Sequence, residues 1–164
     1  MPSCLTVQTT ASFSRLAPVP RDVRDEALAP SDASFRIGAV KVGMVGTRAA
    51  AEAIATFAAA RRGLPFVVDP VLRSSSGAPL LSKSALPAYR RMLLHADVVT
   101  PNLREAEKLL DRRIATFAGA VEGARESAEL TGGAVVLKGG HFPWKGRRGV
   151  DIVVCRGEAT LLSP

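Results

Sequence analysis

Three apolar runs in this 164-residue sequence end in residues able to bind charge. VVDP leaves Asp69 behind two valines, and VVTPN leaves Thr100 and Asn102 with Glu105 one helical turn on. VVLKGGH leaves Lys138, then Gly139, Gly140 and His141. If the runs are parallel strands, their carboxyl ends share one edge, where open α/β sheets bind ligands. That edge carries two carboxylates, an amide, an ammonium and a glycine loop, the parts that phosphoryl transfer from a nucleotide requires. Carboxylates and an amide hold Mg²⁺ directly or through water, because the ion prefers oxygen and keeps several waters. A lysine neutralises the transferring phosphoryl group. Glycines let backbone N–H groups approach phosphate oxygens with no Cβ in the way. The sequence contains neither G-x-x-x-x-G-K-[ST] nor G-x-G-x-x-G, so it is not a P-loop protein and reads poorly as a dinucleotide binder.

Each residue also has a plainer reading. Asn102-x-x-Glu105 is a capping box by spacing alone, and a cap can still face a ligand. Asp69 before Pro70 can start a turn. Lys138 can be a surface lysine, His141 a loop residue, and His95 suits the negative end of a helix. Cys4 and Cys155 have no ligand spacing and read as packing residues.

Hydrophobic period locates the elements that must position these side chains. Strands are expected at 39–46, 64–69, 97–100 and 134–138, with a closing hairpin of 151–155 and 159–162 turning at Arg156-Gly157. Helices are expected over 48–62 behind Thr47, around 83–94, over 103–113 behind Asn102, and over 117–130 up to Gly132-Gly133. Unbroken apolar strands alternating with helices predict a parallel sheet covered on both faces. Residues 11–36 are less regular, with one short helix near 20–28. The whole of 1–164 reads as a single α/β domain.

Composition closes off other classes. Hydrophobic residues are 47% and charged residues 23%, which excludes a disordered tail. No apolar run reaches the ~18 residues that span a bilayer, so no membrane partner is expected. The N-terminus lacks the apolar core of a secretory signal, and two cysteines are too few for a disulfide framework. A cytoplasmic location is the default. The net charge of +7 is spread over pairs such as Arg61-Arg62 and Arg112-Arg113, and aromatics are only 5%, which argues against nucleic acid and for solvated helix faces.

Taken in order, VKVGMVG, VVDPVLRSSSGAPLLS, LLHADVVTPNLREAEKLL and AVVLKGGH resemble the hydroxymethylpyrimidine/phosphomethylpyrimidine kinases of thiamine biosynthesis. These belong to the ribokinase-like superfamily, with pyridoxal kinases as near relatives. The resemblance implies a three-layer α/β sandwich with a mostly parallel sheet, and transfer of phosphate from ATP with Mg²⁺. The small-molecule acceptors it implies are 4-amino-5-hydroxymethyl-2-methylpyrimidine and then its monophosphate. By the same resemblance Gln8 hydrogen-bonds the pyrimidine, while Gly43, Met44 and Val71 line its pocket. Asp69 and Glu105 match metal-side positions, and Asn102 a phosphate-side position. Lys138 matches the catalytic lysine on the ATP phosphates, beside Gly139 and Gly140. The resemblance also admits a homodimer.

Departures from the family pattern bear on activity. A glycine-rich G-x-D-x-S-G-G-A-G segment and an N-T-H-G-T-G-C/D segment, whose backbone forms the family's anion hole, are absent. The resemblance therefore implies a partial domain, incomplete at the N-terminal strand and the C-terminal helices. VQTT stands for the commoner AQNT, and NLRE for NLPE. An inactive fragment that binds pyrimidine or nucleotide, and a pyridoxal- or sugar-kinase relative, are the alternatives.

Overall fold

Short β-branched runs form the central sheet because valine packs well on a pleated, half-buried surface. In the computed structural model, which describes residues 3–8, 13–28, 37–74 and 76–163, these runs are β3 (Val40–Val42), β4 (Phe66–Val68), β5 (Val98–Val99) and β6 (Ala134–Leu137). A hairpin of β7 (Asp151–Cys155) and β8 (Glu158–Leu162) follows. The six strands lie in sequence order, β3 to β6 parallel and the last two antiparallel. Arg156 and Gly157 turn the hairpin with φ of 52° and 81°, the left-handed pair a two-residue turn requires.

The helices α2 (Arg48–Ala59), α3 (Leu86–Leu93), α4 (Leu103–Leu110) and α5 (Phe117–Thr131) connect the parallel strands. Thr47 and Thr116 cap α2 and α5 by accepting the Ala50 and Gly119 N–H groups. The expected helix over 103–113 stops at Leu110, because Asp111 adopts a left-handed backbone with φ of 54°.

Strands in sequence order joined by right-handed crossovers must put every connecting helix on one face. The core agrees. Val42, Phe66, Val68, Val99, Val135 and Ile152 pack with Ile54, Tyr89, Met92, Leu109 and Ala124 of the four helices in a single cluster. Each fully buried large side chain there contributes about 1.5–3 kcal/mol. The expected cover on both faces is thus met on one face by these four helices. On the other, Val67, Val98, Val136 and Val153 are only half-buried and stand outside that cluster.

Residues before position 20 gave no element by period, yet β1 (Cys4–Gln8) and β2 (Phe13–Pro18) pair antiparallel as a separate two-stranded sheet. Among its described side chains Cys4 is buried and Leu5, next to it, is 62% exposed. Helix α1 (Arg21–Leu28) lies where the short helix is expected. Ser3 fastens the ribbon to the main body by donating its hydroxyl to the Met44 carbonyl at 2.6 Å.

Candidate active site

The polar residues at the strand ends meet because β4, β5 and β6 are adjacent and parallel. Asp69 follows β4 and is pinned there by its N–H on the Val42 carbonyl at 2.8 Å. Lys138 follows β6, and its N–H reaches the Pro101 carbonyl at 2.8 Å, so the strand register continues as a bridge between Asn102 and Lys138. Across β5, the Lys138 Nζ donates to Asp69 Oδ1 at 2.8 Å. Lys41, in β3, lies 3.9 Å from the other Asp69 oxygen.

Asn102 and Glu105 form a reciprocal capping box at α4. The Glu105 N–H donates to Asn102 Oδ1 at 3.0 Å, and the Asn102 N–H donates to Glu105 Oε2 at 2.8 Å. Burial pushes the Glu105 carboxyl above the ordinary carboxylate range, against the pull of the Asn102 N–H and the Lys138 ammonium. The capping reading is therefore real. The side of the box nearest Lys138 still belongs to the same edge.

Gly139 has a structural duty that its sequence did not announce. Its N–H donates to Asp151 Oδ1 at 2.7 Å, and a Cβ at this position would drive into the Val150 carbonyl. Its amide is thus engaged within the fold, whereas Gly140 has open space around it. The loop beyond is anchored by Phe142 and Trp144 against Phe117, with ring centroids 5.2–6.2 Å apart, and by Trp144 Nε1 donating to the Ala115 carbonyl. His141 is exposed on this loop. An open depression of about 470 Å³ lies along His141–Lys145, Gly146 and Arg148, but Asp69, Asn102, Glu105 and Lys138 do not line it. The strand-end cluster has the better chemistry, since its charged groups are partly buried and mutually oriented.

Of the residues expected on the pyrimidine side, three follow strands of the six-stranded sheet and one lies in the ribbon. Gly43 and Met44 follow β3, and Val71 follows Asp69, all half-buried. Gln8 closes β1 just after a bulge, and its side chain lies outside the described residues.

Three further residues at or beneath the edge escaped sequence reasoning. Lys41 had a signal, a lone charge inside an apolar strand. Asp151 had only its place at the head of DIVVC. Tyr89, on α3, is 1% exposed with no partner for its hydroxyl among the described residues, and Glu105 and Asp69 are close enough to act on it electrostatically.

Among the described residues no three His, Cys, Asp or Glu side chains converge. The site therefore offers a hard cation the oxygens of Asp69 and Glu105 and no closed cage. That donor set fits Mg²⁺ carried on a phosphate with its waters, the usual way this ion is held.

Sheet order, helix placement and polar strand ends together define a ribokinase-like α/β protein. The phosphomethylpyrimidine kinase of Clostridium difficile 630 superposes with a TM-score of 0.83 at 25% identity, covering 98% of this chain and 69% of that one. An ADP complex of Bacillus subtilis pyridoxal kinase gives 0.79 at 25% identity, covering 98% and 59%. The phosphomethylpyrimidine kinase family profile matches residues 1–163, and the chain belongs to that family. A hydroxymethylpyrimidine/phosphomethylpyrimidine kinase of Aquifex aeolicus is 32% identical over 152 residues, 92% of this chain and 59% of the relative. The Haemophilus influenzae enzyme of the same name is 33% identical over 140 residues, 85% of this chain and 52% of the relative. The chain thus spans little more than half the length of these curated relatives. No described helix is long and apolar enough to cross a membrane.

Proposed function

We propose that this chain carries the nucleotide side of a kinase that phosphorylates hydroxymethylpyrimidine and then its monophosphate. The observation that carries this reading is the Lys138–Asp69 pair at 2.8 Å on the carboxyl edge of a parallel sheet. An ammonium held by a carboxylate beside open space can exchange that partner for a phosphate oxygen without moving far. Lys138 then neutralises charge on the γ-phosphoryl group as the acceptor oxygen attacks phosphorus and ADP leaves. Mg²⁺, when bound, supplies charge neutralisation on the phosphates. Asp69 and Glu105 are its protein oxygens, and Asn102 orients that side of the edge. Gly140 leaves room for phosphate beside Lys138. Gln8, Gly43, Met44 and Val71 are proposed for the pyrimidine side, on the strength of the family relationship.

The test is incubation of this chain with hydroxymethylpyrimidine, ATP and Mg²⁺, with mono- and diphosphate products read by mass spectrometry and Lys138→Ala as control. Product that vanishes in the control supports the reading. A folded chain that binds neither nucleotide nor pyrimidine in a titration sinks it. The likeness to pyridoxal kinases favours pyridoxal as a second acceptor to run alongside.

A further inference from the structure

Beyond Leu137, which pairs with Ile152, the β6–β7 ladder ends and a side chain takes over. The N–H of Gly139, a buried residue, donates to Asp151 Oδ1 at 2.7 Å. The Gly139 carbonyl accepts the Phe142 N–H at 3.1 Å and the Gly149 N–H at 2.9 Å, so this one residue clips both ends of the loop to the end of β6. The neighbouring Lys138 N–H is fixed on the Pro101 carbonyl at 2.8 Å. The exit of β6 is thus held by main chain at the Lys138 N–H and the Gly139 carbonyl, and by the Asp151 carboxylate at the Gly139 N–H.

Register gives Asp151 a second relation to this strand end. Continued by one rung, it sets Asp151 opposite Lys138, and residues opposite each other in an antiparallel pair share a face. A carboxylate so placed competes with Asp69 for the Lys138 ammonium unless it is engaged elsewhere. It is engaged on the Gly139 amide, and Lys138 Nζ lies on Asp69 Oδ1 at 2.8 Å.

We propose that Asp151 is a positioning residue for Lys138: by capturing the Gly139 N–H it fixes the exit of β6 and leaves the ammonium turned toward Asp69 and an incoming phosphate. The phosphate clause rests on the kinase reading; the direction of the Lys138 side chain does not. What Asp151 supplies is an accepting oxygen rather than a charge. A neutral amide oxygen serves equally, whereas without any acceptor the buried N–H loses its partner and the Lys138–Gly139 peptide turns. Glycine tolerates the turned conformations, so the hydrogen bond and not the residue's own backbone preference sets the direction.

The test compares Asp151→Ala with Asp151→Asn, which keeps the accepting oxygen without the charge. The first readout is acylation of Lys138 by an amine reagent, resolved by mass spectrometry from the exposed Lys83 as internal standard. Asp151→Ala should raise the Lys138 rate several-fold, and Asp151→Asn should keep the parental rate. The second readout is ATP affinity by isothermal titration. Asp151→Ala should lower it about tenfold, on the scale of one lost hydrogen bond to a charged group, and Asp151→Asn should stay close to the parent. In a Lys138→Ala background Asp151→Ala should cost no further affinity, because a residue acting through Lys138 has nothing left to position. Where Asp151→Ala does not fold, Asp151→Glu, which moves the oxygen by one methylene, takes its place with the same expected direction.

A lowered thermal midpoint with Lys138 reactivity and ATP affinity both unmoved leaves a structural duty and overturns the positioning. A folded Asp151→Asn chain that behaves like Asp151→Ala overturns it too, since the charge and not the acceptor then matters. So does an additive loss in the Lys138→Ala background. A parental chain that binds no ATP removes the kinase reading, and the acylation rates then decide the positioning by themselves.

Discussion

Lys138 Nζ donates to Asp69 Oδ1 at 2.8 Å and so joins the ends of β4 and β6 over the top of β5. With side chains 40% and 24% exposed, the pair is screened by water and contributes no more than about 1 kcal/mol to stability. Its interest is chemical, since Lys41 at 3.9 Å makes Asp69 a carboxylate shared by two ammonium groups.

Lys138→Ala should lower kcat/KM about 10²–10³-fold, the scale for removing a preorganised charge at a reacting centre. The melting temperature should change little. Lys138→Arg should not restore turnover, because a planar fork cannot replace a point charge between Asp69 and a phosphate. Steady-state kinetics beside a thermal scan separate these effects, and parental turnover in Lys138→Ala removes the lysine from the chemistry.

Asn102 caps α4 and is proposed for the phosphate side, and two substitutions part these duties. Asn102→Ala should cost about 1 kcal/mol through loss of the cap. Asn102→Asp keeps the accepting oxygen and places a new negative charge beside Glu105, so stability should stay near the parent while affinity for Mg²⁺-free ATP falls. Equal nucleotide affinity in Asn102→Asp and the parent would leave only the capping duty. Isothermal titration reads the difference.

Tyr89 is the single tyrosine of the chain, so its ionisation can be followed by phenolate absorbance without interference. Burial pushes its hydroxyl far above the ordinary range, and the carboxylates of Glu105 and Asp69 add to the shift. A phenol whose pKa is higher folded than unfolded contributes stability that is fully present below the unfolded value of about 10 and is lost as pH climbs past it. Tyr89→Phe should abolish that dependence and keep the fold to higher pH. At neutral pH it should gain about 1 kcal/mol, because the buried hydroxyl has no partner. Denaturant melts of both proteins at neutral and strongly alkaline pH check the sign.

Gly139→Ala should destabilise the chain by about 2–3 kcal/mol, since the new methyl group meets the rigid Val150 carbonyl rather than a movable side chain. Gly140→Ala, in open space, should be near neutral for stability. Chemical denaturation of the two variants gives the comparison, and similar losses in both would remove the close-approach argument.

Much of the molecule was legible in order. The four valine-rich runs, the caps at Thr47 and Asn102, and the Arg156-Gly157 turn are local signals, and the structure places each where its residue types require. The strand-end position of Asp69, Asn102 and Lys138 followed from the same pattern, because parallel strands share one carboxyl edge. Contacts between distant residues did not follow. Nothing near Lys41 announces Asp69, nothing near Gly139 announces the Val150 carbonyl, and nothing near Tyr89 announces an unpartnered hydroxyl beneath two carboxylates. The placement of α2–α5 on one face was hidden for a related reason. A strand that is apolar on both sides records what each side chain prefers, whereas the sequential strand order decides that every connecting helix lands on the same side. Local chemistry sets the elements and their polar ends; which face is buried and which charges meet is a property of the crossovers, and exists only once the chain has folded.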